Sequence, residues 1–125
     1  MGLFDFLNTP DINDGVARFD STANAVLLDV RTPEEYVQGH IPHSRNIPLQ
    51  ELNRVETEVP DKAAPLFVYC LSGARSRQAV SELKRMGYVN VENIGGENRY
   101  RRKGGKKGGG GGMAGGGGGG APATL

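Results

Sequence analysis

The sequence predicts an α/β fold with a central parallel β-sheet of about five strands and helices on both faces. Apolar runs at 25–30 and 66–69 and an alternating segment at 89–94 have strand character, and segments of helical periodicity lie between them. Strands alternating with helices lead to a parallel sheet whose two faces are covered by the crossover connections. The only cysteine, Cys70, falls where the 66–69 run meets a glycine-containing loop and the start of a helix. A chain of 125 residues has the length of one domain. Its glycine-rich end leaves roughly a hundred residues to fold, enough for one modest core.

Taken in order, Leu3 to Leu7 is a short apolar segment read as a first edge strand. Asn8-Thr9-Pro10-Asp11 is a helix-start signal, a capping residue followed by a proline at the first turn. Ile12, Val16 and Phe19 then fall on one helical face, and Gly15 weakens that helix. Ala25 to Val30 shows little alternation, as expected of a strand covered on both sides, and delivers Asp29 and Arg31 to its carboxyl end. An ion pair between Arg31 and a carboxylate such as Glu35 would pin the following loop. Pro33-Glu34-Glu35-Tyr36 opens a short helix with carboxylates in its first turn, where the helix dipole favours them.

Gly39-His40-Ile41-Pro42 carries the chain towards a short strand near Ile47. His40 and His43 are the only histidines, and their setting among turn residues is structural rather than catalytic. Two histidines three apart with no nearby cysteine also make a poor metal site. Leu49 to Val59 reads as one helix with Leu52, Val55 and Val59 facing inward, ended by Pro60-Asp61-Lys62. Leu66 to Tyr69 is the central strand. In the helix from Ser76 to Met86, Ala79, Val80, Leu83 and Met86 mark the buried face, and Gly87 supplies the stop. Val89 to Ile94 is the last strand.

The net charge of +1 conceals a division. Residues 1–98 hold 14 acidic and 9 basic side chains, a net −5, whereas 99–125 hold 6 basic and none acidic, a net +6. The stretch from Arg99 to Lys107 offers phosphate contacts, but only Tyr100 is there to stack on bases, which argues against a nucleic-acid partner. Residues 104–120 include 13 glycines and lack the apolar surface to offset ordering entropy, so 104–125 is expected to be a flexible, solubilising tail. A single cysteine excludes an internal disulfide and a cysteine-rich metal site. It suits a reducing compartment. Met1-Gly2-Leu3-Phe4-Asp5-Phe6 lacks the features of a signal peptide, Phe6 stands where a myristoylation signal has Ser or Thr, and no stretch reaches the length of a membrane span. A soluble cytoplasmic monomer is expected.

The chemistry concentrates in Val68-Tyr69-Cys70-Leu71-Ser72-Gly73-Ala74-Arg75-Ser76. Strand, loop and helix place a reactive side chain at the carboxyl end of a parallel strand, where open α/β sheets bind ligands. The positive end of the helix and the free N–H groups of the turn favour thiolate over thiol, and the thiolate is the nucleophile. Gly73 lets successive amides turn inward as an anion-binding cradle, and Arg75 adds positive charge. Cys70 is therefore the candidate nucleophile, with Leu71, Ser72, Gly73, Ala74, Arg75 and Ser76 as the substrate-binding loop.

Over about residues 3–103 the chain resembles the rhodanese family of sulfurtransferases. Cys-Leu-Ser-Gly-Ala-Arg-Ser matches the family pattern C-x-x-G-x-R-S. Leu28-Asp29-Val30-Arg31-Thr32-Pro33-Glu34-Glu35-Tyr36, with Gly39-His40-Ile41-Pro42 and Asn46-Ile47-Pro48, is similar to its other signature. Gly95-Gly96 takes the place of the usual pair before the last helix; Tyr100 stands where the family usually has tryptophan, and Arg99, Arg101, Arg102 and Lys103 make that helix short and basic. The resemblance implies a rhodanese-like domain over 1–103, followed by the tail at 104–125. It implies transfer of a sulfane sulfur from a donor such as thiosulfate to a thiol or protein acceptor through a persulfide on Cys70, with no metal and no organic cofactor. It also implies that His40 holds its turn. Leu71 replaces a basic residue of some thiosulfate-selective relatives, which leaves the native donor open. A persulfide carrier and a non-enzymatic partner-binding module are the alternatives. Phosphatases and arsenate reductases of this fold place five residues between cysteine and arginine; the four between Cys70 and Arg75 leave a smaller ring.

Overall fold

Four short runs of extended backbone pair into one parallel sheet, and a computed structural model describes residues 10–101 around it. The strands are β1 (Val26–Asp29), β2 (Ser44–Asn46), β3 (Leu66–Cys70) and β4 (Val91–Gly96), in the order β2-β1-β3-β4. These are the four strands among the described residues. The strand expected at Leu3 to Leu7, the capping positions Asn8 and Thr9, and the segment 102–125 with its glycine run lie outside them.

β1 and β3 are buried along their whole length, which accounts for their unbroken apolar character. Alternation sends Leu28, Leu66, Val68 and Cys70 to one face and Leu27, Phe67 and Tyr69 to the other. The first face is covered by a 3-10 turn (Leu49–Arg54) and its continuation, and by a long helix after β3. The second is covered by α1 (Ile12–Asp20), through Ile12, Val16 and Phe19. α2 (Pro33–Gln38) connects β1 to β2. Tyr88 is buried against the first face, and its hydroxyl lies 3.1 and 2.6 Å from the carbonyls of Val55 and Val59.

Several local expectations are corrected. The cap of α1 is Asp11, after the proline, with its carboxylate accepting the Asn13 N–H at 3.0 Å. The segment 49–59 is not one α-helix. It runs as the 3-10 turn, with Glu51 outside helical geometry, and then as α3 (Val55–Glu58). Leu49, Leu52 and Val55 are spaced by three, and a 3-10 turn stacks that spacing on one side. The N–H of Leu49 also bonds Val30 O at 3.1 Å, holding the start of the segment against the end of β1. The helix after β3, α4, is Ala74–Arg85, beginning before Ser76. Its end is closed by Gly87 at φ 106°, with Gly87 N–H on Lys84 O and Tyr88 N–H on Leu83 O. After β4 only a 3-10 turn, Glu97–Arg99, forms in the described part of the expected basic helix. There Asn13 accepts the Arg101 N–H and donates to Arg99 O, tying the chain to α1.

Gly15 has a packing role. A Cβ on it would overlap Cβ and Cγ2 of Ile94. Helix propensity alone says that Gly15→Ala gains about 1 kcal/mol. Overpacking against the rigid β4 residue outweighs this, so Gly15→Ala is expected to lower stability by about 1–3 kcal/mol in urea denaturation.

Candidate active site

β3 ends at Cys70, and the chain must reverse there to start α4. Gly73 makes the turn at φ 106°, in the left-handed region where a Cβ is resisted, and it is the residue preceding the helix. The loop leans on the end of β4. A Cβ on Gly96 would collide with Leu71 O and with the backbone of Ser72, so the close approach requires glycine at that position. The Asn98 N–H donates to Leu71 O at 3.1 Å and ties the loop down. A register shift between Val68 and Tyr69 sets Val68 opposite Asn93 but Tyr69 opposite Gly95. That bulge brings both glycines beside the loop.

The result is a ring of donors around one sulfur atom. Sγ of Cys70 accepts the Gly73 N–H at 3.0 Å and the Ser76 N–H at 3.3 Å, and lies 3.5 Å from Ser76 Oγ. Burial pushes the Cys70 thiol up, but the Ser76 hydroxyl and the N–H groups of Ser76, Gly73 and Ser72 outweigh it, and the thiol is held below its ordinary value. Cys70 and Ser76 are fully buried and Gly73 is buried, while Leu71, Ser72 and Ala74 are exposed on the rim. The arrangement can hold a sulfur anion by hydrogen bonds that cost no reorganisation.

Of the expected loop residues, Gly73 and Ser76 therefore converge on Cys70. The guanidinium of Arg75 instead meets Glu35 of α2 in a two-point contact at 2.8 and 3.0 Å. Glu35 also closes a capping box with Thr32, its carboxylate accepting the Thr32 N–H at 2.9 Å. Arg75 is the main reason that the Glu35 carboxyl is held down at about 2; partial burial opposes it and the bond from Thr32 adds to it. Arg31 consequently does not pair with Glu35, as its place in the sequence suggested. It is buried against Asp29, with Nε 3.0 Å from both carboxylate oxygens, and it also reaches Glu97 and the Gly39 carbonyl. Two charges so buried need such partners, and removing either would strand the other.

His40 stacks on Tyr36 with ring centroids 3.7 Å apart, and its Nδ1 lies 2.9 Å from Tyr36 O. His43 is exposed at φ 72°. Sequence reasoning missed Asn93, whose Oδ1 accepts from Ser76 Oγ at 2.7 Å, and the Glu35–Arg75 contact. A polar side chain in the last strand, two residues before Gly95, was the available signal for Asn93.

A family model described as the rhodanese-like domain matches residues 14–101. Thiosulfate sulfurtransferase PspE of Escherichia coli is 50% identical over 70 residues, which are 55% of this chain and 67% of that protein. Thiosulfate:glutathione sulfurtransferase of Saccharomyces cerevisiae is 38% identical over 85 residues, covering 58% of this chain and 61% of that one. Among solved structures, a rhodanese with anions from E. coli superposes with a TM-score of 0.59 at 45% identity, over 61% of this chain and 91% of that chain.

The Glu35–Arg75 contact makes a pH-dependent contribution to stability. The folded-state pKa of Glu35, about 2, lies below its usual 4.5, so the contribution is present above pH 4.5 and is lost as pH falls towards 2. Glu35→Gln keeps the capping geometry and removes the charge. With both side chains partly exposed, it is expected to cost about 1 kcal/mol at pH 7 in urea denaturation. The gap to the parent chain should close as pH drops below 4.5; a constant gap would contradict the assignment.

Proposed function

Because the chain belongs to the rhodanese-like domain family and is a rhodanese-type sulfurtransferase, we propose that the sulfur it transfers is carried as a persulfide on Cys70. The convergence of the Gly73 and Ser76 N–H groups on Sγ is the observation that carries this reading. The thiolate of Cys70 attacks the outer sulfur of the donor. A new S–S bond forms at Sγ while the donor's own S–S bond breaks, and with thiosulfate its electron pair leaves on sulfite. The negative charge then sits on the terminal sulfur of the persulfide, within reach of the loop from Leu71 to Ser76 and of the N-terminus of α4. An acceptor thiolate attacks that terminal sulfur, and Cys70 departs as a thiolate. The hydrogen bonds that lower the Cys70 pKa also make it a better leaving group in this second step.

Thiosulfate as donor is supported by the names of the E. coli and S. cerevisiae relatives, and a small thiol acceptor by that of the latter. Leu71, with an uncharged side chain on the rim, sets no cation against an anionic donor and leaves room for a persulfide or polysulfide in its place. Arg75 contributes its charge from the contact with Glu35. Cys70 is buried in this state, so a donor reaches Sγ from the side of the exposed loop residues Leu71, Ser72 and Ala74. The sulfur-transfer unit ends near residue 103, which the family match ending at 101 supports. Among the described residues no helix is long and apolar enough to cross a membrane. A reducing, cytoplasmic setting suits the reading, because the sole cysteine must remain uncapped to accept sulfur.

Intact-protein mass spectrometry after mixing with thiosulfate tests the proposal. The chain should gain one sulfur atom, lose it on addition of cyanide, and gain none as Cys70→Ser. Failure to take sulfur from thiosulfate, polysulfide and a low-molecular-weight persulfide alike would overturn the persulfide step.

A further inference from the structure

Ser76 carries one hydroxyl proton and stands among three acceptors. Its Oγ lies 2.7 Å from Asn93 Oδ1, 3.1 Å from the Gly73 carbonyl and 3.5 Å from Cys70 Sγ. One proton serves one well-aligned acceptor at a time. Ser76 is fully buried, so the choice lies among these three groups. The Gly73 carbonyl and Asn93 Oδ1 each already accept one backbone N–H, and Asn93 is the nearer partner of the hydroxyl by 0.4 Å, 2.7 against 3.1 Å. The Gly95 N–H donates to the same Asn93 atom at 3.0 Å, and a donor at that point identifies the atom as the carboxamide oxygen rather than its nitrogen.

The hydrogen bonds therefore run in sequence when Cys70 is neutral: the thiol donates to Ser76 Oγ, and Ser76 donates to Asn93. Ionised Cys70 reverses the first link. Its sulfur becomes an acceptor facing the lone pairs of Ser76 Oγ, and the hydroxyl must turn to donate to it. Formation of the persulfide moves the charge to the outer sulfur, and Sγ no longer competes for the proton. We propose that Asn93 is a positioning residue for sulfur transfer: it holds the Ser76 hydroxyl proton whenever Cys70 Sγ is uncharged and releases it when Sγ is a thiolate. The inference rests on the reading of Cys70 as the sulfur-carrying nucleophile. Its consequence is that the free thiolate is stabilised less than the donor ring alone would allow, which preserves its reactivity, since nucleophilicity falls as a thiol's pKa falls.

The charged groups gathered at this end of the sheet are Arg75 of α4, Glu35 of α2, Asp29 and Arg31 at the end of β1, and Glu97 after β4. Arg75 pairs with Glu35, and Arg31 with Asp29 and Glu97. Substitution at position 93 leaves those pairs in place.

The test is the pH dependence of Cys70 alkylation by iodoacetamide in the full chain, for the parent, Asn93→Ala and Asn93→Asp, each with and without Ser76→Ala. Asn93→Ala frees the hydroxyl for the thiolate. The midpoint should fall, with about threefold to tenfold more thiolate at a given pH below it, the worth of one released hydrogen bond. Asn93→Asp is nearly isosteric, holds the proton harder and adds like charge, so its midpoint should rise. The Asn93→Ala shift should vanish, and the Asn93→Asp shift should shrink, in the Ser76→Ala background. Midpoints that move in the same direction, an Asn93→Ala midpoint that does not move, or a shift that survives Ser76→Ala would overturn the inference. A merely structural Asn93 predicts the first of these outcomes. Should Asn93→Ala fail to fold, the Asn93→Asp and Ser76→Ala combination decides alone. Alkylation reads the free thiol, whereas persulfide formation in the parent chain reads the transfer step. Failure of this inference is therefore separable from failure of the proposed function.

Discussion

The structure depends on one constraint, that the sulfur at the end of β3 be met by backbone N–H groups rather than by solvent. Such donors converge only if the chain reverses within three residues. Gly73 provides the reversal by a left-handed conformation, and Gly96 provides the space in which the loop lies against β4. The bulge that puts Tyr69 opposite Gly95 brings that space to the correct end of the sheet. Beneath the loop, β1 and β3 are buried on both faces, so the anchor point of Cys70 is rigid. Each of these features has little purpose without the others.

Charge is handled separately from the sulfur. Arg31 is neutralised by Asp29 in the core, and Arg75 by Glu35 at the edge of the loop. A paired charge acts on its surroundings as a dipole and falls off quickly, whereas N–H groups at 3.0 and 3.3 Å touch the sulfur directly. Local backbone donors therefore dominate, with Arg75 as a more distant contributor. Glu35 joins the two systems, because it caps α2 and holds Arg75 with the same carboxylate. His40 and Tyr36 complete the support by stacking at the end of α2, where the Tyr36 hydroxyl donates to the Ser44 carbonyl of β2.

Much of this was legible in the sequence, and what was not has physical reasons. The parallel sheet followed from two apolar runs and an alternating segment separated by helical periodicity, and Cys70, Gly73 and Ser76 followed from a strand running into a glycine turn. The segment 49–59 was misread because Leu52, Val55 and Val59 fit an α-helical face, although Leu49, Leu52 and Val55 fit a 3-10 turn equally well. Arg31 was assigned to Glu35 because neighbouring charges reveal that pairing is needed, not which pairing the fold selects. Asp29 lies two residues away on a strand end, and its carboxylate folds back to accept both the Arg31 N–H and the guanidinium. The contact between Ser76 and Asn93 spans 17 positions and depends on a bulge, and no local pattern reports it. Gly15 was read as a helix weakness because propensity carries no information about Ile94 above it.

The central claim is that the donor ring favours the thiolate of Cys70 over the thiol. Titration of the ultraviolet thiolate absorbance, with Cys70→Ser as the blank, tests it most directly. The account predicts a midpoint below that of an ordinary free cysteine, about 8.5, because the N–H groups of Gly73 and Ser76 and the Ser76 hydroxyl outweigh burial. A midpoint at or above the ordinary value would mean that burial wins, and the account of the site would be wrong.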